Sequence, residues 1–556
     1  MNKRYRIWAK GAMLRKTIAL VFIIGNPYCF AQSDAPCAPT GPSSDRLRVF
    51  ISDLHMGVGR SPGATNWNPM EDFRWAPEFD LFLKEINRKG AGKTDLVIVG
   101  DLLELWQFVE DNCDYGDANW GCTAEDALVR VKAVLKSHAS ELRTLKEFAD
   151  SPGDNRVYII PGNHDAALLY DIVASELINA INASPGKVCI FANGYWRSPD
   201  GLVYAEHGHQ IEDGDPNSYG DTWPRPFIEN HNKTYLIRTW GERFVQKYYN
   251  ELETQYPIID NLSKEQLGIK YGVAARGLLL PKDIAKLTKF VFFEVSEDQF
   301  IASLYGLYLK RGETAVARDW DVEAIRGTAG EKLVSDLVPV LEKLPLESAV
   351  NKIALDKIAE KGKLGFSSTD LTDEQINALC DMRAALIENM KGNKQEIPIK
   401  NCPTVEHRTL KIQEFLMGKD PVIKAHLQKY LQRRYDKLSS GNRNYPKFKV
   451  FIYGHTHQAH DGRKYQLALE GNWFPKVFNC GAWIRTVDRK QLQKLMRDKN
   501  LDARAVLPEV QPEYLPPCYS FVMIAPYAID PIAELKRWSL DANQNWRIVD
   551  DCSNGK

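Results

Sequence analysis

The stretch from Val157 to Leu169, VYIIPGNHDAALL, joins a β-branched and aromatic run to a Pro-Gly turn, and the turn leads into Asn163, His164 and Asp165. The run Val157–Ile160 predicts a buried strand, and the apolar residues after Asp165 can open a helix. Asn and Asp both suit helix caps. By itself the tripeptide therefore fits either a capped turn or a set of functional groups delivered at a strand end. The surrounding chain decides between these.

The same pattern recurs along the sequence. LRVFISD from Leu47, DLVIVGD from Asp95, LVYAEHG from Leu202 and FKVFIYGHTH from Phe448 are short apolar runs, each ending in Gly, Asp, Asn or His. KVFNCGAW from Lys476 and YSFVMIAP from Tyr519 add further strand-like runs, and Ala124 to Phe148 reads as helical. This alternation predicts an α/β fold with a sheet buried on its faces. In such folds ligands gather beyond the strand ends. An isolated turn would not place polar residues at those ends repeatedly.

The residues at the ends are Asp53 and His55 in SDLHMG, Asp101 in VGDLLELW, Asn163 and His164 in PGNHD, His207 in EHGH, and His455 and His457 in GHTH. Two positions apart in an extended segment, side chains point the same way, so each Asp-x-His or His-x-His pair can reach one site. A mixture of carboxylate, amide and imidazole suits a hard or borderline metal, whereas thiolates would mark a softer one. The chain has no CxxC, which argues against thiolate zinc sites.

These motifs, in this order, resemble the calcineurin-like metallophosphoesterase superfamily over roughly residues 47–210 and 448–530. The resemblance implies a four-layer α/β/β/α sandwich and two divalent or mixed-valence transition-metal ions, manganese, iron or zinc. It places Asp53, His55, Asp101 and His457 on one ion and Asp101, Asn163, His207 and His455 on the other, with Asp101 bridging. It makes His164 a non-ligand that acts as general acid or stabilises phosphoryl oxygens, with Asp165 orienting its ring. The implied reaction is hydrolysis of a phosphomonoester, phosphodiester or pyrophosphate by metal-bound hydroxide, the substrate being a small molecule or a lipid. A non-catalytic binding scaffold and a metal-dependent nuclease of the same fold are the alternatives. His209 fits an outer-shell group, a substrate contact or a structural residue. Where purple acid phosphatases have a tyrosine ligand, this chain has Glu104. GDLLELW resembles instead a segment of the UDP-diacylglucosamine pyrophosphatase branch, with Trp106 read as packing; that branch's substrate is not carried over.

Length and composition frame this reading. With 556 residues the chain has room for more than one domain, and 72 basic against 72 acidic residues give no reason to expect nucleic-acid binding. MNKRYRIWAKGAMLRK, then TIALVFIIG, then NPYCFAQSD, reads as a signal peptide over residues 1–31 and predicts export, periplasmic or secreted. An uncleaved anchor is the alternative. No later stretch is long and apolar enough to span a membrane. Export makes disulfides possible; neighbouring positions suggest Cys113 with Cys122, Cys380 with Cys402 and Cys518 with Cys552, with at least one cysteine left over. The expected organisation is a core over 47–223, a large, mainly helical insertion over 224–445, the rest of the core over 446–530 and a C-terminal extension over 531–556. The insertion includes helix-like segments at 282–295, 331–344, 373–390 and 422–435, and an aromatic stretch at 290–308 that reads as a buried helix pair. A cap over the site is one role for it, with Tyr219, Trp223 and Arg225 as candidate contacts at its start. The loop around Cys113 and Cys122 is a candidate rim of the site.

Overall fold

A computed structural model of the protein describes residues 43–60, 66–108, 113, 119–211, 217–246, 250–259, 261, 421–440, 445–464, 467–487, 489–501, 506–541 and 543–552. The signal segment, the Cys380–Cys402 pair, the aromatic stretch and the helix-like segments at 282–295, 331–344 and 373–390 lie outside them.

The described residues form a mixed α/β structure. Strands β1 (Leu47–Ile51), β2 (Thr94–Val99), β4 (Arg156–Ile160) and β5 (Val188–Ile190) run parallel. They lie in a sheet of order β14-β13-β12-β1-β2-β4-β5, whose antiparallel side comprises β12 (Cys518–Ile524), β13 (Ala533–Leu540) and β14 (Trp546–Val549). A second sheet has the order β11-β10-β7-β6, from β11 (Lys476–Asn479), β10 (Val450–Tyr453), β7 (Val203–Ala205) and β6 (Trp196–Arg197). A third joins β3 (Trp120–Thr123), β9 (Lys233–Ile237) and β8 (Phe227–Asn230).

Strand periodicity decides how these parts stack. Along β1, β2 and β4, Val49, Ile51, Leu96, Ile98, Val157 and Ile159 pack into one apolar cluster with helices α1 (Ala76–Lys89), α2 (Ala124–Ser137), α3 (Ala139–Asp150) and α4 (Asp171–Ile181). The alternate residues Phe50, Val97, Val99, Tyr158 and Ile160 face the other way and meet Val203, Ala205, Val450, Ile452 and Phe478 of the second sheet. That sheet's far face, through Tyr204, Phe451 and Val477, holds Leu427 and Leu431 of the helix Pro421–Ser439. Both faces of β1, β2, β4, β7 and β10 are covered, which is why these strands read as apolar runs.

Several expectations change. The helical stretch 124–148 is two helices broken at His138, and Thr123 caps the first in a capping box with Asp126. The tail beyond 530 is not an appendage, because β13 and β14 extend the first sheet and the Cys518–Cys552 disulfide ties β12 to the chain after β14. The segment expected to be a helical insertion opens instead with β8 and β9, which pair with β3 of the core, while its last described part, Pro421–Ser439, is helical. Cys113 and Cys122 form a disulfide, and Cys480 is free and buried. Among the described residues no helix is long and apolar enough to cross a membrane.

Candidate metal centre

Strands β1, β2, β4, β7 and β10 end at Ile51, Val99, Ile160, Ala205 and Tyr453, and every expected ligand follows shortly after one of these ends. Backbone hydrogen bonds carry the pairing of β1 and β2 past their ends. The Asp53 amide donates to Gly100 O at 3.1 Å, the His55 amide to Asp101 O at 3.0 Å and the Glu104 amide to Met56 O at 2.9 Å. Side chains fasten the remaining loops, with Asp101 Oδ1 accepting from the His164 amide at 2.9 Å and Asp53 Oδ2 from the His455 amide at 3.0 Å.

The backbone here is strained. Asp53, His55, Asp101, His455 and His457 all have positive φ, at 54°, 49°, 51°, 68° and 53°. Each such non-glycine residue costs ~1–2 kcal/mol, and it persists only where its surroundings over-determine it. Close approach adds a second demand. A Cβ on Gly100, itself at φ 87°, would collide with the ring of His207, and one on Gly162 would collide with the Asp101 carboxylate. The Pro-Gly of the opening stretch thus lets the β4 loop pass against Asp101.

The strain brings ligand atoms together. Asp53, His55 and His457 can present one atom each within 4.8 Å of one another, as can Asp101, His207 and His455. Ring tautomers sharpen the picture. His55 Nδ1 lies 2.9 Å from Glu104 Oε2, which accepts its proton, and Nε2 lies 3.1 Å from His457 Nε2. His207 Nδ1 lies 2.8 Å from Val99 O, and its Nε2 lies 2.9 Å from Asp101 Oδ2 and 3.0 Å from Asn163 Oδ1. In the neutral imidazoles, with the far nitrogens protonated, the near lone pairs turn towards neighbouring acceptors, an arrangement that a shared cation would satisfy. Separations of this size are what ligands ~2.0–2.2 Å from a common ion show. Asn163 Nδ2, buried without a partner, fits an amide oriented by its oxygen.

Electrostatics favour the same use. Burial opposes ionisation of Asp101 and Asp53, yet His207 beside both carboxyls, with other imidazoles near, holds them well below the usual range. They stand ionised, the form that ligates. Burial likewise opposes charge on His207, but Asp101 raises it to about 9, and the Asp53 and Glu104 carboxylates raise His55. Burial and the cationic neighbours His207 and His455 push His209 well down.

His164 sits at the open side, with 18% of its side chain exposed. It can also reach His55 and Asp101 within the same 4.8 Å. Its Nδ1, however, is bound to Glu104 Oε2 at 2.5 Å, and Trp106 stacks on its ring. Asp165 does not touch that ring. Its oxygens accept the amides of Gly162 at 2.6 Å, Leu102 at 2.8 Å and Leu103 at 3.3 Å, so it ties the β4 loop to the β2 loop. Burial and the Asp101 charge push Asp165 up to about 7. The orienting carboxylate is Glu104, held at about 2 by His164 against the cost of its own burial. The spacing Asp-x-x-Glu in GDLLELW marked Glu104 only as a missing tyrosine; its two imidazole contacts depend on loop geometry.

His209 is buried against Trp223, ring centroids 4.4 Å apart, and Nδ1 has no partner. Tyr219 and Trp223 are buried and stack on each other, and the Tyr219 hydroxyl donates to Asn163 O at 3.2 Å. They support the site and are not exposed contacts; Arg225 is exposed.

The fold and these clusters define a mixed α/β protein with groups able to hold metal at the ends of its parallel strands. Residues 48–273 match the family model described as calcineurin-like phosphoesterase, and with the groups that could hold metal this supports a general phosphoesterase function. Neither the curated proteins nor the solved structures provide a match. The matched segment stops well before His455 and His457, which β10 brings to the same place.

Proposed function

We propose that this chain is an exported dinuclear-metal phosphoesterase cleaving a phosphomonoester, phosphodiester or pyrophosphate bond in a small-molecule or lipid substrate. The observation that carries the reading is two ligand groups, Asp53 with His55 and His457 and Asp101 with His207 and His455, in which His55 and His207 each have the far nitrogen hydrogen-bonded and the near nitrogen turned inward. Asp53, His55, Asp101 and His457 would hold one ion and Asp101, Asn163, His207 and His455 the other. Manganese, iron or zinc bound there would polarise the phosphate oxygens and acidify a water molecule.

The chain's own groups do the remaining work. Buried Asp53, Asp101 and Asn163 keep bulk water from the inner side, and half-buried His164 and His457 mark where an ester enters. With Nδ1 bound to Glu104, His164 has Nε2 left to give a proton to the leaving oxygen. The four-layer α/β/β/α sandwich and a capping role for residues 224–445 belong to the same proposal. Support for the layers comes from the two clusters flanking the second sheet. The equal counts of acidic and basic residues favour a non-nucleic-acid substrate.

A panel of phosphomonoesters, phosphodiesters and pyrophosphates, run on protein reconstituted with manganese, zinc or iron, tests the reading. Metal-dependent turnover of at least one class supports it. Metal binding without turnover of any class would make the protein a binding scaffold.

A further inference from the structure

The indole of Trp106 lies flat against the imidazole of His164, with ring centroids 3.9 Å apart and planes inclined by 27°. His55 approaches the same imidazole edge-on, at 4.7 Å and 88°, and Glu104 takes Nδ1. The ring is thus held at a face and at one nitrogen. Trp106 itself is only 3% exposed, so it acts on a substrate through another residue or not at all.

The backbone carrying the indole is braced on every side. Glu104 Oε1 accepts the amides of Trp106 at 2.7 Å and Gln107 at 3.2 Å. Arg130 Nη1 donates to Leu105 O at 3.0 Å, and Asn250 Nδ2 donates to Trp106 O at 3.3 Å. Gln107 Nε2 donates to Glu253 Oε2 at 2.8 Å. Leu105 belongs to the large apolar core, whereas Trp106 is outside that cluster and turns to the histidine. Buried polar groups fixing a short loop rigidify it, and what this loop presents is Glu104 and Trp106, both directed at His164.

We propose that Trp106 is a positioning residue for His164, its indole face fixing the plane of the imidazole so that Nε2 meets the leaving oxygen. The proposal rests on the hydrolytic reading above and adds to it a second support for the proton donor, independent of Glu104. Stacking sets the ring's plane while the carboxylate sets its rotation within that plane. Loss of the indole should therefore misalign the donor and leave the ligand sphere in place.

The test compares Trp106→Ala, Trp106→Phe, His164→Ala and the Trp106→Ala/His164→Ala double variant on a nitrophenyl ester and on an alkyl ester of the same phosphoryl group. Trp106→Ala should lower kcat on the alkyl ester ~10- to 100-fold, the scale of a misplacement near 1 Å, with KM and metal content little changed. The nitrophenyl ester should suffer less, and Trp106→Phe should restore most of the rate. Added to His164→Ala, Trp106→Ala should cost nothing further. Equal losses on both esters, or the same loss in the His164→Ala background, would overturn the proposal and leave Trp106 as packing. A readout without turnover accompanies these rates. The His164 ring proton, identified by its absence in His164→Ala, should shift upfield under the indole and move downfield in Trp106→Ala. If no ester is turned over, the hydrolytic reading fails separately; an unmoved proton signal overturns the positioning by itself.

Discussion

In the half of the centre built from Asp53, His55 and His457, the far nitrogen of His55 rests on a side-chain carboxylate, Glu104 Oε2, at 2.9 Å. In the half built from Asp101, Asn163, His207 and His455, the far nitrogen of His207 rests on a backbone carbonyl, Val99 O, at 2.8 Å. A carboxylate partner makes an imidazole a more basic ligand than a carbonyl does. It also connects that ligand to other chemistry, since Glu104 Oε2 touches His164 as well. The carbonyl belongs to β2, in the middle of the first sheet, and no side-chain change can remove it. One half is tunable and tied to His164, and the other is built into the sheet.

The loops differ in the same sense. The chain after His55 is propped by a distant buried side chain, Glu71, which accepts the amides of Gly57 at 3.2 Å and Gly59 at 2.5 Å. His138 holds Glu71 at 3.3 Å and Glu141 at 3.1 Å. The turn before Asn163 is fastened locally, by Asp165 on the amides of Gly162, Leu102 and Leu103.

Asp101→Ala should erase the distinction, because the proposed reading gives that carboxylate to both ions. Elemental analysis should show both ions weakened and turnover should fall to background. Retention of one tightly held ion would show that Asp101 does not bridge. His164→Ala should touch neither half. Its metal content should match the wild type, while rates on esters with poor leaving groups drop ~10²–10⁴-fold, the usual contribution of a general acid. Loss of an ion would make His164 a ligand.

Glu104→Gln should separate the halves. Affinity at the His55 half should fall ~10–100-fold, as outer-shell changes typically do, with the His207 half unchanged. Metal titration resolving two binding steps measures this, and equal weakening of both steps would contradict the asymmetry. A smaller effect concerns pH. Burial opposes charge on His138, but Glu71 and Glu141 raise its pKa to about 10 from 6.5. The folded chain therefore binds that proton more tightly than the unfolded chain. The resulting stabilisation is complete below about 6.5 and is lost as pH climbs through about 10. Melting temperature should decline over that window, and His138→Gln should flatten the decline.

The strand bodies were legible because alternation is local: Val49 against Phe50, or Ile159 against Tyr158, already assigns each residue to one of two faces. The positions of the candidate ligands were legible because they follow those strands at short spacing. The contacts of Glu104, Trp106 and Asp165 were not. Which carboxylate lies behind an imidazole depends on loops whose residues occupy positive φ, and neither Asp53 nor His457 announces that conformation in sequence. The placement of β13 and β14 was equally hidden, since Ala533–Leu540 and Trp546–Val549 carry mixed polar and apolar residues suited to the outer part of a sheet.

The central claim is that these strand ends form a two-ion hydrolytic centre. Ester hydrolysis measured against added metal, starting from chelator-treated protein, tests it most directly. The account predicts negligible turnover without metal and a rise that levels off at two equivalents per chain. Full turnover in the chelated protein, or a plateau at a single equivalent, would contradict it.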